Sequence, residues 1–395
     1  MDGQNLDPQW LHWPQTQKLV AAFAAQPDAL RFVGGAVRDA FLKRPVQDVD
    51  AATTLVPQAT MALLAKAGIR AIPTGIEHGT VTAVIDGKHF EITTLRRDVS
   101  TDGRHAEIEY TDDWKEDAKR RDFTINALYL STQGELFDYF GGVEDVKKGV
   151  VRFIGDANQR IAEDYLRILR FFRFYAHYGK GVPEAAALTA CTAQAQHMAA
   201  LSGERIQQEM FKLLAAPQSH RVVKWMIENG ILDHVLGVHV DNVTTLERLE
   251  NTFPDVEPIT KLTALIGLDN TQALEKVIDR LKLSNALAAP LEKARYITPD
   301  QSRAELYQFY IQTNPLVFGT SVAVSAVSNI SMNPHMHKIE FYPPPSPFPV
   351  KGEDLIAFGM KPGKEMGDLL RSLENEWANS DYKLTKEELL AKVKQ

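Results

Sequence analysis

The sequence predicts an α+β protein: a small mixed sheet with helices over residues 1–145, followed by regions that are helical throughout. Three observations carry this. Leu30–Val33 and Ala127–Leu130 are apolar runs of strand length. The period changes to two over His78–Ile85 and Lys88–Leu95, with Asp86-Gly87 between them as a hairpin signal. Beyond Val150 strand signals nearly vanish and helical spacing takes over.

The elements follow in order. Thr16–Ala25 reads as a helix that Pro27 and Asp28 interrupt before the first strand, Leu30–Val33. Gly34-Gly35 then turns the chain into a helical pattern from Ala36 to Lys43. Gln47–Ala51 is strand-like, and Pro57–Ala67 is a helix with proline near its start and Gly68 just past its end. The hairpin comes next. Arg96–Tyr110 is polar, shows no sustained period and reads as a loop or lid. The strand at Ala127–Leu130 returns through a turn at Gln133-Gly134 to Leu136–Tyr139, and Asp138, Gly141-Gly142 and Asp145 form a connecting turn. Further on, Glu163–Tyr175 is expected as one helix, with Ile168, Leu169, Phe172 and Tyr175 as its apolar stripe and Asp164, Arg167, Arg170 and Arg173 stepping along a ridge. A helix starting at Ser202 carries Arg205 and Glu209 four apart, and amphipathic helices continue from Pro217 to about Thr313. Tyr342–Pro349 is a proline-rich linker into a last helical region. The division expected is 1–145, 146–215, 216–340 and 341–395.

At 395 residues, 44% hydrophobic and 24% charged, the chain has room for more than one domain of ordinary globular composition. Its one cysteine, Cys191, excludes an internal disulfide framework and a cysteine metal cluster. No signal-peptide pattern opens the sequence and no apolar stretch is long enough to cross a bilayer, so a cytoplasmic location is expected. The net charge of -7 argues against indiscriminate coating of nucleic acid. Arg and Lys nevertheless concentrate between Arg96 and Lys180, which leaves room for a local basic surface.

The chemistry centres on Phe32–Thr54. A strand, a glycine pair and a helix start together make a phosphate seat: glycine lets an anion approach the backbone, and the first helical N–H groups lack internal partners. Arg38 adds a charged fork in the first turn. In the strand that follows, alternate residues share a face, so Asp48 and Asp50 point one way and Val49 the other. Two hard oxygen ligands beside a phosphate seat suit Mg2+ bound jointly by carboxylates and a nucleoside triphosphate. Glu91, sharing a strand face with His89 and Thr93, is a candidate third carboxylate, and spacing alone reads equally as an exposed strand residue.

Gly34-Gly35-Ala36-Val37-Arg38-Asp39, Asp48-Val49-Asp50, Arg120-Arg121-Asp122-Phe123-Thr124-Ile125-Asn126-Ala127 and Glu163-Asp164-Tyr165-Leu166-Arg167 occur in that order, and Leu201–Glu209 reads LSGERIQQE. As a set they resemble the bacterial-type class of tRNA nucleotidyltransferases, the CCA-adding enzymes, which share a class with bacterial poly(A) polymerases. The resemblance is dense over about residues 30–215 and diffuse beyond, apart from Val350–Leu370. It implies a polymerase-β-like nucleotidyltransferase head followed by all-α neck, body and tail that hold the acceptor end of a tRNA, with CTP and ATP as substrates. Asp48 and Asp50 are then the metal ligands in a two-metal nucleotidyl transfer, with a second magnesium expected by the leaving pyrophosphate near Gly35 and Arg38. Gly34, Gly35 and Arg38 form the triphosphate seat, and Arg121, with Asp122 and Asn126 of the same motif, belongs to the nucleotide site. Asp164 and Arg167 read the base, with Arg170 and Arg173 as further nucleotide contacts. The presence of the Arg96–Tyr110 segment accords with enzymes that complete all three additions. The alternatives implied are a poly(A) polymerase or a partial CC- or A-adding enzyme. No obligatory protein partner is evident in the sequence.

Overall fold

The computed structural model describes residues 5–101, 106–267, 270–293, 301–313, 315–328 and 347–393. The chain divides into two units, residues 1–201 with 229–234, and residues 202–228 with 235–395.

The first unit is built on a mixed sheet. Its strands are β1 (Leu30–Val33), β2 (Asp50–Thr53), β3 (Arg70–Gly75), β4 (Thr80–Ile85), β5 (Lys88–Thr94), β8 (Leu128–Ser131) and β9 (Leu136–Asp138), in the order β3-β4-β5-β2-β1-β8-β9. All pairings are antiparallel except β2 with β5. The β4–β5 turn uses Asp86 and Gly87 at φ 47° and 80°, the left-handed pair that suits a tight hairpin. One face of the sheet is apolar, with Leu30, Phe32, Phe90 and Ile92 all buried, and Trp10 packs edge-on against Phe32 at 4.9 Å. The other face carries Val33, Ala52 and Tyr129, which share a cluster with Leu95, Ala118 and Ile154.

Helix α1 (Pro14–Ala22) starts two residues before the position expected from periodicity, with Pro14 in its first turn. Helices α2 (Gly35–Phe41) and α3 (Pro57–Lys66) fall where the pattern puts them. Arg96–Tyr110 does not form the irregular loop expected. Strand β6 (Arg96–Thr101) pairs with β7 (Ala106–Tyr110) as a separate antiparallel ribbon, while residues 102–105 lie outside the described residues. Its register shifts between Asp98 and Ser100, and that irregularity breaks the alternation from which a strand is read. Across the ribbon Arg97 donates to Glu109 at 2.8 Å.

Helices α4 (Trp114–Lys119) and α5 (Gly142–Lys148) flank the last strands. The turn before α5 forms as expected: Asp138 accepts N–H bonds from Phe140, Gly141, Gly142 and Val143. A Cβ at Gly142 would stand 2.3 Å from the Thr124 carbonyl, so the close approach requires glycine. The expected helix over Glu163–Tyr175 is two helices, α6 (Ala157–Glu163) and α7 (Leu166–Tyr178). Asp164 breaks them. Its backbone is extended, and its carboxylate accepts the Leu166 N–H at 3.1 Å, offering the chain a local alternative to continuing the helix. Hence Arg167, Arg170 and Arg173 lie along α7, and Asp164 does not lie on their ridge.

The second unit is helical in all its described regular elements. Ser202 caps the helix Gly203–Leu214 by position, although its side chain makes no cap hydrogen bond. Deeper in, Glu250 pairs with Lys261 at 2.8 Å, both nearly inaccessible, and also accepts from Ser219 and His220. Such a pair offsets its desolvation only because its remaining hydrogen-bonding capacity is met. The tail helices Gly352–Ala357 and Lys364–Asn379 share a core with Ala304 and Tyr307, centred on Trp377. Of the proline-rich linker, Tyr342–Ser346 lie outside the described residues. Among the described residues no helix is long and apolar enough to cross a membrane.

Candidate active site

The site grows out of the register of three adjacent strands. Val33 pairs with Asp50, so both face the same side of the sheet. On the other flank Ala51 pairs with Ile92 and Ala52 with Thr93 in the parallel register, and the same alternation sets Glu91 beside Asp50. Regular strand begins only at Asp50, later than the Gln47 expected, yet the alternation holds: Val49 is buried while Asp48 and Asp50 are exposed.

Asp50 reaches solvent, but its carboxyl sits low among protein atoms. Its pKa is pushed up to about 6, by burial first and then by Glu91 and Asp48, against the opposing pull of Arg121. Three carboxylates therefore crowd one another, with one guanidinium close by. Among the described residues no three or more His, Cys, Asp or Glu side chains form an all-protein metal cage. Asp48 and Asp50 are hard oxygen donors at alternate positions flanking buried Val49, and that donor chemistry fits a divalent cation.

The glycine turn borders this cluster. Gly34 has φ 71° and ψ -122°, a conformation open to glycine and strained for other residues, and its N–H bonds to the Leu128 carbonyl at 3.1 Å. Gly35 begins α2. A Cβ on Gly34 would lie 3.9 Å from an Arg121 nitrogen, so Arg121 stands by both the turn and the carboxylates. Arg121 is held from behind: it donates to the Tyr129 hydroxyl at 3.0 Å and to Asp117 at 3.2 Å, and Tyr129 in turn donates to Asp117 at 2.7 Å. Sequence reading missed Asp117 and Tyr129. The four-residue spacing from Asp117 to Arg121 was the available signal.

Asp117 is 1% exposed. Burial pushes its pKa up, but Arg121, Arg120 and the Tyr129 hydroxyl overrule that and bring it from 3.8 down to about 2. A depressed carboxylate stabilises the fold above its unfolded pKa and loses that contribution as pH falls through the folded value. The expected loss is about 2 kcal/mol between about pH 4 and pH 2. Urea unfolding over a pH series checks this. Asp117→Asn should be less stable at neutral pH and should close the gap to wild type as pH falls; a constant gap would exclude the linkage.

Asp122 and Asn126 turn out to be buried and engaged with protein groups. Asp122 accepts from its neighbour Phe123 N–H at 2.8 Å, from Asn126 at 2.9 Å and from Arg170 Nε at 2.8 Å. Burial raises its pKa, and Arg170 leads the groups that hold it below the usual carboxylate range. Asn126 Oδ1 accepts from Arg38 Nη1 at 2.6 Å. Arg38 itself is 5% exposed. On α7, Arg173 lies over the Phe174 ring at 4.2 Å. Arg167 donates to the Arg160 carbonyl at 2.7 Å and pairs with the Glu163 carboxylate, while its N–H bonds the Asp164 carbonyl at 3.0 Å. Asp164 and Arg167 are thus neighbours at the entrance of α7, Asp164 two residues before its start and Arg167 the second residue inside it.

Residues 30–152 match the family profile described as "Poly A polymerase head domain", and residues 183–239 match "Probable RNA and SrmB- binding site of polymerase A". The chain is 37% identical over 393 residues to the mouse (Mus musculus) mitochondrial CCA tRNA nucleotidyltransferase 1, covering 96% of this chain and 89% of that one. It is 32% identical over 359 residues to the CCA-adding enzyme of Streptococcus gordonii, with 87% of each covered. Among solved structures, the Bacillus stearothermophilus CCA-adding enzyme in complex with CTP superposes with a TM-score of 0.69 at 25% identity, over 96% of this chain and 98% of the other. The Thermotoga maritima CCA-adding enzyme complexed with tRNA shares the fold at a TM-score of 0.72 and 20% identity, over 99% and 97%. With 37% identity in an alignment that spans 96% of the chain, the chain belongs to the CCA-adding tRNA nucleotidyltransferase family.

Proposed function

We propose that this chain adds C, C and A to the 3′ end of tRNA from CTP and ATP, releasing pyrophosphate, without a nucleic-acid template. The observation that carries the reading is the identity to CCA tRNA nucleotidyltransferases over nearly the full length of both chains. The site chemistry supports it. Asp48 and Asp50 hold Mg2+, which when bound neutralises charge at the reacting phosphate. Glu91 completes the acidic cluster, and Gly34, Gly35, Arg38 and Arg121 seat the triphosphate. In the reaction a bond forms from the RNA 3′ oxygen to the α-phosphorus, the bond from that phosphorus to the bridging oxygen breaks, and pyrophosphate leaves while the hydroxyl proton is lost. Holding the nucleophile, phosphorus and leaving group in line is the protein's main task.

Asp164 and Arg167 read the base. A carboxylate only accepts hydrogen bonds and a guanidinium only donates. Cytosine presents its N4 amino donor beside acceptors at N3 and O2, and adenine its N6 amino beside N1, so one pair serves both. Uracil and guanine present the reverse order and leave buried polar groups unpaired. Arg170 and Arg173 extend the basic ridge toward the nucleotide. We read the chain as cytoplasmic, in keeping with its one buried cysteine.

A gel assay tests the reading, using a tRNA transcript without its 3′ end, Mg2+, and each nucleotide singly and together. Two added residues with CTP and a third only when ATP joins is the expected outcome. A long ladder with ATP alone would replace this reading with poly(A) synthesis. A stop after two residues with both nucleotides present, or one added A on a transcript ending in CC but none with CTP, would replace it with partial addition.

A further inference from the structure

Tyr178 is the last residue of α7 and belongs to none of the motifs described above. Its hydroxyl accepts from Arg38 Nη2 at 2.6 Å and donates to Asp39 at 3.3 Å. The Arg38 guanidinium carbon stands 4.0 Å from the centre of the Tyr178 ring and that of Arg44 4.7 Å, while Arg44 also donates to the His177 carbonyl at 3.0 Å. Arg38 is further held by Asp39, at 3.1 Å from Nε and 3.2 Å from Nη2, and by Asn126 at 2.6 Å from Nη1. Its planar fork is therefore aimed by groups from three places in the fold: its own helix α2, the segment before β8, and the far end of α7.

We infer that Tyr178 is a positioning residue for the phosphate seat, fixing the aim of Arg38 by tying α2 to the end of the helix whose other end reads the base. The inference rests on the nucleotidyl-transfer reading of this site. Tyr178 lies eleven residues beyond Arg167 on one helix, which at 1.5 Å per residue separates their backbones by about 16 Å. A group so far from the base cannot choose between bases, so its influence runs through Arg38 to the part that CTP and ATP share, the triphosphate.

Tyr178→Phe keeps the ring beneath both guanidinium groups and removes only the hydroxyl. The measurements are KM and kcat for CTP and ATP, competitive inhibition by inorganic tripolyphosphate, and the melting temperature. The expected result is KM raised about threefold to tenfold for both nucleotides, with their ratio unchanged and tripolyphosphate inhibition weakened by the same factor. A lower melting temperature with unchanged KM and unchanged tripolyphosphate inhibition would overturn the inference, since a hydroxyl that only supports the fold does that. So would a change confined to one nucleotide. Tripolyphosphate that fails to compete with CTP on the wild-type enzyme would instead remove the phosphate seat on which the inference stands.

Discussion

Asp50→Asn lowers nucleotide addition by about three orders of magnitude or more and raises the melting temperature of the cation-free protein. The first effect follows from the task assigned to the carboxylate. A charge that holds a cation against the reacting phosphate acts where charge changes most, and an amide of the same shape supplies neither the charge nor the affinity. The second follows from the crowding around it. Burial, Glu91 and Asp48 all disfavour a charged Asp50, with Arg121 opposing them, so the site holds like charges together at a cost to the fold. Neutralising one of them relieves that cost. The two readouts move in opposite directions, which separates a working site from a supporting one. Single-turnover incorporation and a melting curve on the same preparation decide it. Addition within about tenfold of wild type would remove Asp50 from the reaction, and a large fall in melting temperature would mean that the carboxylate holds the sheet together. Asp48→Asn should act in the same direction on addition.

Much of this cluster was legible in the sequence, because its parts are local. A glycine pair between Val33 and Ala36, and carboxylates on either side of buried Val49, declare their geometry through spacing alone. The Asp86-Gly87 hairpin did the same for β4 and β5. What spacing cannot supply is register between distant strands. Glu91 joins Asp50 only because β2 runs parallel beside β5, a pairing between segments about forty residues apart that no local period records. The ribbon Arg96–Tyr110 was hidden by its register shift, and the break at Asp164 by the three-residue spacing of Asp164, Arg167, Arg170 and Arg173, which reads as one unbroken ridge. An Asp ahead of an apolar helical run was nevertheless a cap signal. Tyr178 was out of reach altogether, since its partners Arg38 and Asp39 lie about 140 residues earlier. In the second unit the buried Glu250–Lys261 pair and the Trp377 core stabilise helices without forming any pattern that names a reaction.

Exchanging Asp164 and Arg167 should lower the preference for CTP over UTP, expressed as a ratio of kcat/KM, by about a hundredfold or more. The effect is this large because the wrong base meets both partners with the wrong polarity, leaving two groups without hydrogen bonds in a closed site. The break between α6 and α7 adds a second consequence. The Asp164 carboxylate accepts the Leu166 N–H just ahead of α7, so the exchange also removes that hydrogen bond, worth about 1 kcal/mol. It further places a carboxylate at position 167 beside Glu163, where Arg167 now forms an ion pair. The doubly exchanged protein should therefore melt at a lower temperature. That loss does not blur the test, because it reduces the folded fraction for every nucleotide alike and cancels in the ratio. A lower melting temperature with the CTP to UTP ratio intact would leave Asp164 and Arg167 as parts of a helix entrance, and base choice would have to come from elsewhere. A collapsed ratio would mean that the carboxylate bonded to the Leu166 N–H is also the template, so that the residue at the break between α6 and α7 reads the base together with the second residue of the helix that follows.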